Sequence, residues 1–172
     1  MKIAQKSLVL VLVMVLTIMS TKAQEVTLDF NNAASILQLT QQYVGALQAG
    51  DVSKMDAALA QNAMIYGLGG ALDSLTKAQH KEYYTTSTTN YTHTITGELY
   101  LPVKVTNNWN EGEWVLAWGT NTLTDKATGK TITVPYHTAS LIENGKIIRV
   151  HYWYDMLNVL QSQGFQITPA AN

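Results

Sequence analysis

Asp155 follows directly on Tyr152-Trp153-Tyr154, where a β-rich run gives way to a helical one, and a short carboxylate at such a junction caps the helix that follows. The same carboxylate, buried beside those rings, would lose solvation, hold its proton to higher pH and move it near neutrality. Both roles are compatible with the sequence. His151 stands four residues earlier, but the pair straddles a strand–helix junction, and neither His-x-His nor His-Glu-x-x-His occurs, so no metal is expected. His80 sits among Lys77, Lys81 and Glu82 and reads as a solvated helix face. His93 and His137 lie in strand-like runs, where a ring satisfied by a local hydrogen bond and a proton-transfer group look alike. Nine tyrosines and four tryptophans, mostly in the strand region, suit a wall that is apolar and also hydrogen-bonds. Tyr66, Trp118, Tyr136, Tyr152 and Tyr154 are the expected ligand-lining set. The glycines at 67, 69 and 70 lack the pattern of a phosphate loop.

The elements that position these groups are legible from period and punctuation. Ile36, Leu39, Tyr43 and Leu47 recur three or four apart, predicting a helix over 33–49 that Asn31 or Asn32 caps and Gly50 ends. Asp51 caps a second helix with Met55 and Leu59 facing inward. A short extended piece covers 63–66. A third helix starts near Ser74 or Thr76, where Thr76 and Gln79 have capping-box spacing, and fades in the Thr-rich run after Tyr84. Four long strands follow, over 91–105, 114–124, 131–142 and 147–154. Asn144-Gly145 joins the last two as a type I′ hairpin, since both residues tolerate positive φ. Gly164 and Phe165 suit a Schellman ending to a short C-terminal helix. Helices first and an antiparallel meander after is an α+β pattern, with the helices laid in the concave face of a curved, mainly antiparallel sheet around a cavity.

Residues 1–23 read as a signal peptide. Lys2 and Lys6 form the basic lead, residues 8–19 an apolar core too short to span a bilayer, and Thr21-Lys22-Ala23 a small-residue cleavage site. Residues 24–172 then form a single domain of about 150 residues, enough to bury roughly two thirds of its unfolded surface. The chain has no cysteine, which excludes disulfides, cysteine-ligated metals and a lipoprotein anchor, so no stable membrane anchor is expected after cleavage. Without Lys2, Lys6 and Lys22, 8 basic residues face 12 acidic ones, a formal charge of −4. With Arg149 the only arginine, that balance argues against a nucleic-acid partner.

Gln42-Tyr43-Val44-Gly45-Ala46-Leu47-Gln48-Ala49-Gly50-Asp51, followed far downstream by Asn144-Gly145-Lys146-Ile147 and Asp155-x-Leu157-x-x-Leu160-Gln161-x-x-Gly164, resembles the nuclear-transport-factor-2-like superfamily. The closing segment is similar to its SnoaL-like branch, which includes polyketide cyclases. The resemblance spans essentially all of 24–172 and implies a cone with a pocket open at one end, cofactor-free chemistry where there is any, and a homodimer. Tyr43 matches the oxyanion-donating tyrosine of ketosteroid isomerases, although a core position on an amphipathic helix explains it without chemistry and is the weightier reading. The isomerase base falls near Gly67 or Leu68, where no carboxylate exists, so steroid isomerisation is not expected. The second oxyanion donor falls at His137 or Thr138, and a one-residue slip decides whether His137 or Tyr136 faces the pocket. Asp155 matches the position where SnoaL-like cyclases are expected to place an acid–base carboxylate. His93 resembles a catalytic histidine of scytalone-dehydratase-like relatives, but their second histidine has no counterpart over 114–124. The combined expectation is an exported pocket protein for a small apolar or aromatic molecule. A cofactor-free isomerase, cyclase or dehydratase and a non-catalytic dimeric interaction module are the alternatives.

Overall fold

The computed structural model describes residues 24–69, 73–166 and 168, so the predicted signal peptide lies outside the described residues. Among these, seven strands form one sheet in the order β1-β4-β5-β6-β7-β2-β3, accompanied by four helices. The strands are β1 (Glu25–Thr27), β2 (Leu59–Tyr66), β3 (Ser74–Thr76), β4 (Tyr91–Thr106), β5 (Gly112–Asp125), β6 (Thr131–Glu143) and β7 (Lys146–Tyr154). The helices are α1 (Ala33–Gln48), α2 (Val52–Ala58), α3 (Lys77–Asn90) and α4 (Met156–Ser162). Neighbouring strands run antiparallel except β2 and β7, which are parallel, so the sheet is mixed. This is the expected α+β cone: a curved open sheet with helices on its concave side and a short helix at the C-terminus.

Local chemistry sets the boundaries. Asp51 accepts from the backbone of Lys54 at 3.0 Å, and Thr76 and Gln79 close a complete capping box. The Asn32 side chain leaves its own helix uncapped and donates instead to Glu113 at 3.2 Å, tying α1 to β5. Asn144 and Gly145 both take positive φ, as a type I′ turn requires. At Gly164, the Phe165 and Gly164 amides donate to the Leu160 and Gln161 carbonyls, the Schellman pattern. Helix α3 runs on to Asn90 rather than fading after Tyr84. Thr85, Thr88 and Thr89 each turn the hydroxyl onto the carbonyl four residues back, at 2.7 Å, and so keep their polarity inside the helix.

Two bulges decide which side chains face the cone. Gly97, at φ +65°, adds a residue to β4 between Thr96 and Leu99, and a second irregularity sits between β6 and β7 next to Ile142. The second, which adds a residue to β7, turns Ile147 onto the concave side beside Ile142, and both are buried. There they join Ile36, Val44, Met55, Ile65 and Val150 in the main core under the helices. A smaller apolar cluster of Val103, Trp114, Ala139 and Leu141 occupies the other face.

Candidate active site

The concave face of β4 to β7, together with α1, α3 and α4, walls a cavity of about 730 Å³. That is within the usual range for small-molecule sites. Its wall is mostly aliphatic and aromatic. Among the described residues it carries one carboxylate, Glu82, no lysine or arginine, and one histidine, His93.

Tyr43, placed on the inner face of α1 by the spacing of Ile36, Val44 and Leu47, reaches between two partners. Its hydroxyl lies 2.7 Å from His80 Nε2 and 2.8 Å from Tyr152 Oη. Tyr84, one turn beyond His80 on α3, donates to the same Tyr152 oxygen at 3.4 Å. Four side chains from α1, α3 and β7 therefore form one hydrogen-bonded chain ending on the cavity wall. Burial pushes the Tyr43, Tyr84 and Tyr152 hydroxyls well above the usual phenol range. The phenols are thus protonated at neutral pH. His80 is fully buried, and desolvation pulls it down to about 4 against the opposing charge of Asp56. It is a neutral imidazole at neutral pH, with Nδ1 lacking any partner among the described residues. The solvated helix face predicted for His80 is therefore overturned.

His93 forms a second polar station on the same wall. Its Nε2 lies 3.0 Å from Ser87 Oγ, and the Asn121 amide stands 3.1 to 3.3 Å from Nδ1. Burial lowers its pKa, opposed by the Asn121 hydrogen bond, so this ring too is neutral near pH 7. Tyr136 faces the cavity, and its buried hydroxyl has no partner among the described residues. Burial and the nearby Glu98 push it up to about 12. Tyr154 lines the mouth and donates to the Leu68 carbonyl at 2.7 Å, holding the segment after β2 against the sheet. Gly67 completes that join at φ +78°, where a Cβ would run into the Tyr152 carbonyl oxygen.

The expected site residues thus divide. Tyr43, His93, Tyr136, Tyr152 and Tyr154 meet at the cavity. Asp155 does not: it is exposed, and its carboxylate accepts from the Asn158 amide at 3.0 Å as the N-cap of α4. His137, Trp118 and Tyr66 belong to the convex face. Side chains alternate across a strand, and the β5–β6 register pairs Trp118 with His137 and Gly119 with Tyr136, so Tyr136 points in and His137 out. On that outer face Trp118, His137, Trp153, His151 and Tyr66 stack in series, with successive ring centroids 4.7, 5.1, 5.5 and 4.8 Å apart. Ile132 and Val134, two and four residues before Tyr136 on the same face of β6, line the cavity with it.

A family model of the SnoaL-like domain matches residues 40–150. Among curated proteins none matches the sequence significantly. Solved structures share the fold at low identity. A candidate isomerase from Bacillus subtilis superposes with a TM-score of 0.64 at 14% identity, covering 78% of this chain and 96% of its own. A candidate polyketide cyclase from a Silicibacter species gives 0.59 at 18% identity, covering 73% and 92%. A protein of ketosteroid-isomerase-like fold from Catenulispora acidiphila, in complex with trimethylamine, gives 0.57 at 14% identity, covering 77% and 98%.

Proposed function

This chain belongs to the SnoaL-like domain family, and on that premise we propose that its cone takes up a small apolar or aromatic molecule. The observation that carries the proposal is the cavity itself: about 730 Å³, walled by rings and aliphatic side chains, with no cationic group on its described wall. Anions gain nothing there, because no positive charge repays their lost hydration. An uncharged ring with one or two polar atoms fits both the apolar wall and the hydroxyls of Tyr136 and Tyr152. Calorimetric titration of residues 24–172 with uncharged bicyclic aromatics tests this reading, with binding in the micromolar range expected. Tyr136→Trp, which fills the cavity, is expected to abolish that binding without unfolding the domain.

A second reading, turnover by acid–base chemistry without a cofactor, is favoured by the two polar stations on one wall. His93 is neutral and therefore able to accept a proton, while the tyrosine chain supplies donors for an enolate oxygen as charge forms on it. The isomerase and cyclase descriptions of the structural relatives agree with that class of chemistry. The basic and apolar lead over 1–23 supports export, and the ring-covered convex face supports a homodimer.

A further inference from the structure

We infer that the His80–Tyr43–Tyr152 chain has a fixed sense, with every proton pointing toward the cavity, so that Tyr152 presents a free O–H selecting ligands that carry an acceptor oxygen. The inference rests on the pocket reading for its ligand and on hydrogen-bond counting for its direction. A neutral imidazole carries one N–H, on Nε2 or on Nδ1. Nδ1 of His80 is sealed in the core without a partner among the described residues. A stranded buried N–H is the rarer and costlier arrangement, whereas a bare nitrogen lone pair is tolerated more readily. The proton therefore sits on Nε2 and is donated to Tyr43 Oη across 2.7 Å.

Tyr43 has one proton of its own and one remaining partner, so it donates to Tyr152 across 2.8 Å. Tyr84 donates to Tyr152 as well, at 3.4 Å. Both acceptor positions of the Tyr152 oxygen are then used by the protein. Its hydroxyl proton has no protein partner among the described residues, and Tyr152 lines the cavity. His80 never touches a ligand in this arrangement. It is a positioning residue that keeps Tyr43 from reversing, and a reversed Tyr43 would leave Tyr152 free to donate back into the protein. The ligand class is correspondingly narrow: an uncharged ring bearing a ketone, aldehyde or similar acceptor oxygen. A ring with no polar atom leaves the Tyr152 hydroxyl unsatisfied in an apolar pocket. The Tyr136 hydroxyl has no partner among the described residues to fix its direction, so it imposes no such preference.

Two measurements on the protein comprising residues 24–172 test this. Nitrogen-15 NMR of the imidazole groups reads the His80 tautomer directly, with no ligand present. The Nε2–H form is expected, and the Nδ1–H form overturns the sense of the chain. Calorimetry then compares 2-acetylnaphthalene with 2-isopropylnaphthalene, which has nearly the same shape and no oxygen. The ketone is expected to bind about tenfold more tightly, with the preference lost in Tyr152→Phe and the hydrocarbon affinity little changed. Equal affinities in the unmodified protein overturn the donor role of Tyr152. If neither compound binds while His80 is in the Nε2–H form, the pocket reading and the ligand half of the inference fail together, and the direction of the chain stands.

Discussion

Tyr136 on β6 lies directly opposite Gly119 on β5, and a Cβ added at Gly119 would stand 2.8 Å from the tyrosine oxygen and 3.0 Å from the ring carbon that bears it. The missing side chain is what lets the ring lie flat against the sheet and leaves the cavity its volume. Gly119→Ala is expected to lift Tyr136 into the cavity. The cost is roughly 1–2 kcal/mol of stability, as for other overpacked sites. Affinity for a bicyclic ligand should fall much further than affinity for a single ring, which calorimetry with both ligands checks. Tyr136→Phe separates volume from hydroxyl chemistry. It removes a buried oxygen without a partner and should leave stability unchanged or slightly raised.

The buried imidazole of His80 makes stability depend on pH with a definite sign. Its folded pKa is depressed to about 4 from an ordinary value near 6.5. Between these values the unfolded chain holds a proton that the folded chain refuses, so stability rises with pH through this window. The contribution is complete above about pH 6.5 and is lost progressively down to about pH 4, amounting to about 3 kcal/mol at most. His93 shifts in the same direction and adds to the slope. Urea unfolding from pH 4 to 7.5 should therefore show a steeper loss in the unmodified protein than in His80→Gln, which cannot titrate. Parallel profiles would mean that His80 is solvated or paired in solution.

Much of this architecture was legible because it is set locally. The Thr76–Gln79 box, the Asp51 cap, the Asn144-Gly145 turn and the Gly164 ending each need only a few adjacent residues, and each forms as expected. The site was legible in part. Tyr43 and Tyr152 follow from helix and strand periods, but the face of a strand depends on phase, and the bulges at Gly97 and beside Ile142 reset that phase in ways no single segment announces. Trp118 and His137 lie on β5 and β6, whose mutual register is unbroken, and nothing in either strand alone says which alternate set faces the cavity, while Tyr66 follows a further irregularity in the β2–β7 pairing. His80 was hidden by its charged neighbours. The spacing of His80, Tyr84 and Ser87, four and three residues apart, was the available signal that they share an inner helix face.

Asp155 is a separate case, because its two roles predict different losses. The carboxylate is exposed and spends its hydrogen bond on the first turn of α4. Asparagine caps about as well as aspartate, so Asp155→Asn should shift stability by only a few tenths of a kcal/mol, and Asp155→Ala should cost about 1 kcal/mol. Neither should alter ligand affinity. A large loss of affinity or turnover in a folded Asp155→Asn protein would return this residue to the chemistry.

The convex face supplies the remaining test. Trp153 and Leu99 are 51% and 61% exposed there, and Leu101 and Trp118 flank them at 37% each. Across β4 to β7 these residues and the stacked rings of His137 and His151 form a broad apolar surface, which in soluble proteins marks an interaction site. A second copy of the chain, presenting the same rings about a twofold axis, matches such a surface. Sedimentation equilibrium of residues 24–172 is therefore expected to give twice the chain mass at micromolar concentration. Leu99→Glu with Trp153→Ala should return it to the single-chain mass, because the glutamate would have to be desolvated without a partner. Both substitutions lie on the face away from the cavity, so ligand affinity should survive them. A single-chain mass for the unmodified protein at every concentration would remove the dimer and leave these rings as the solvent-facing side of the sheet.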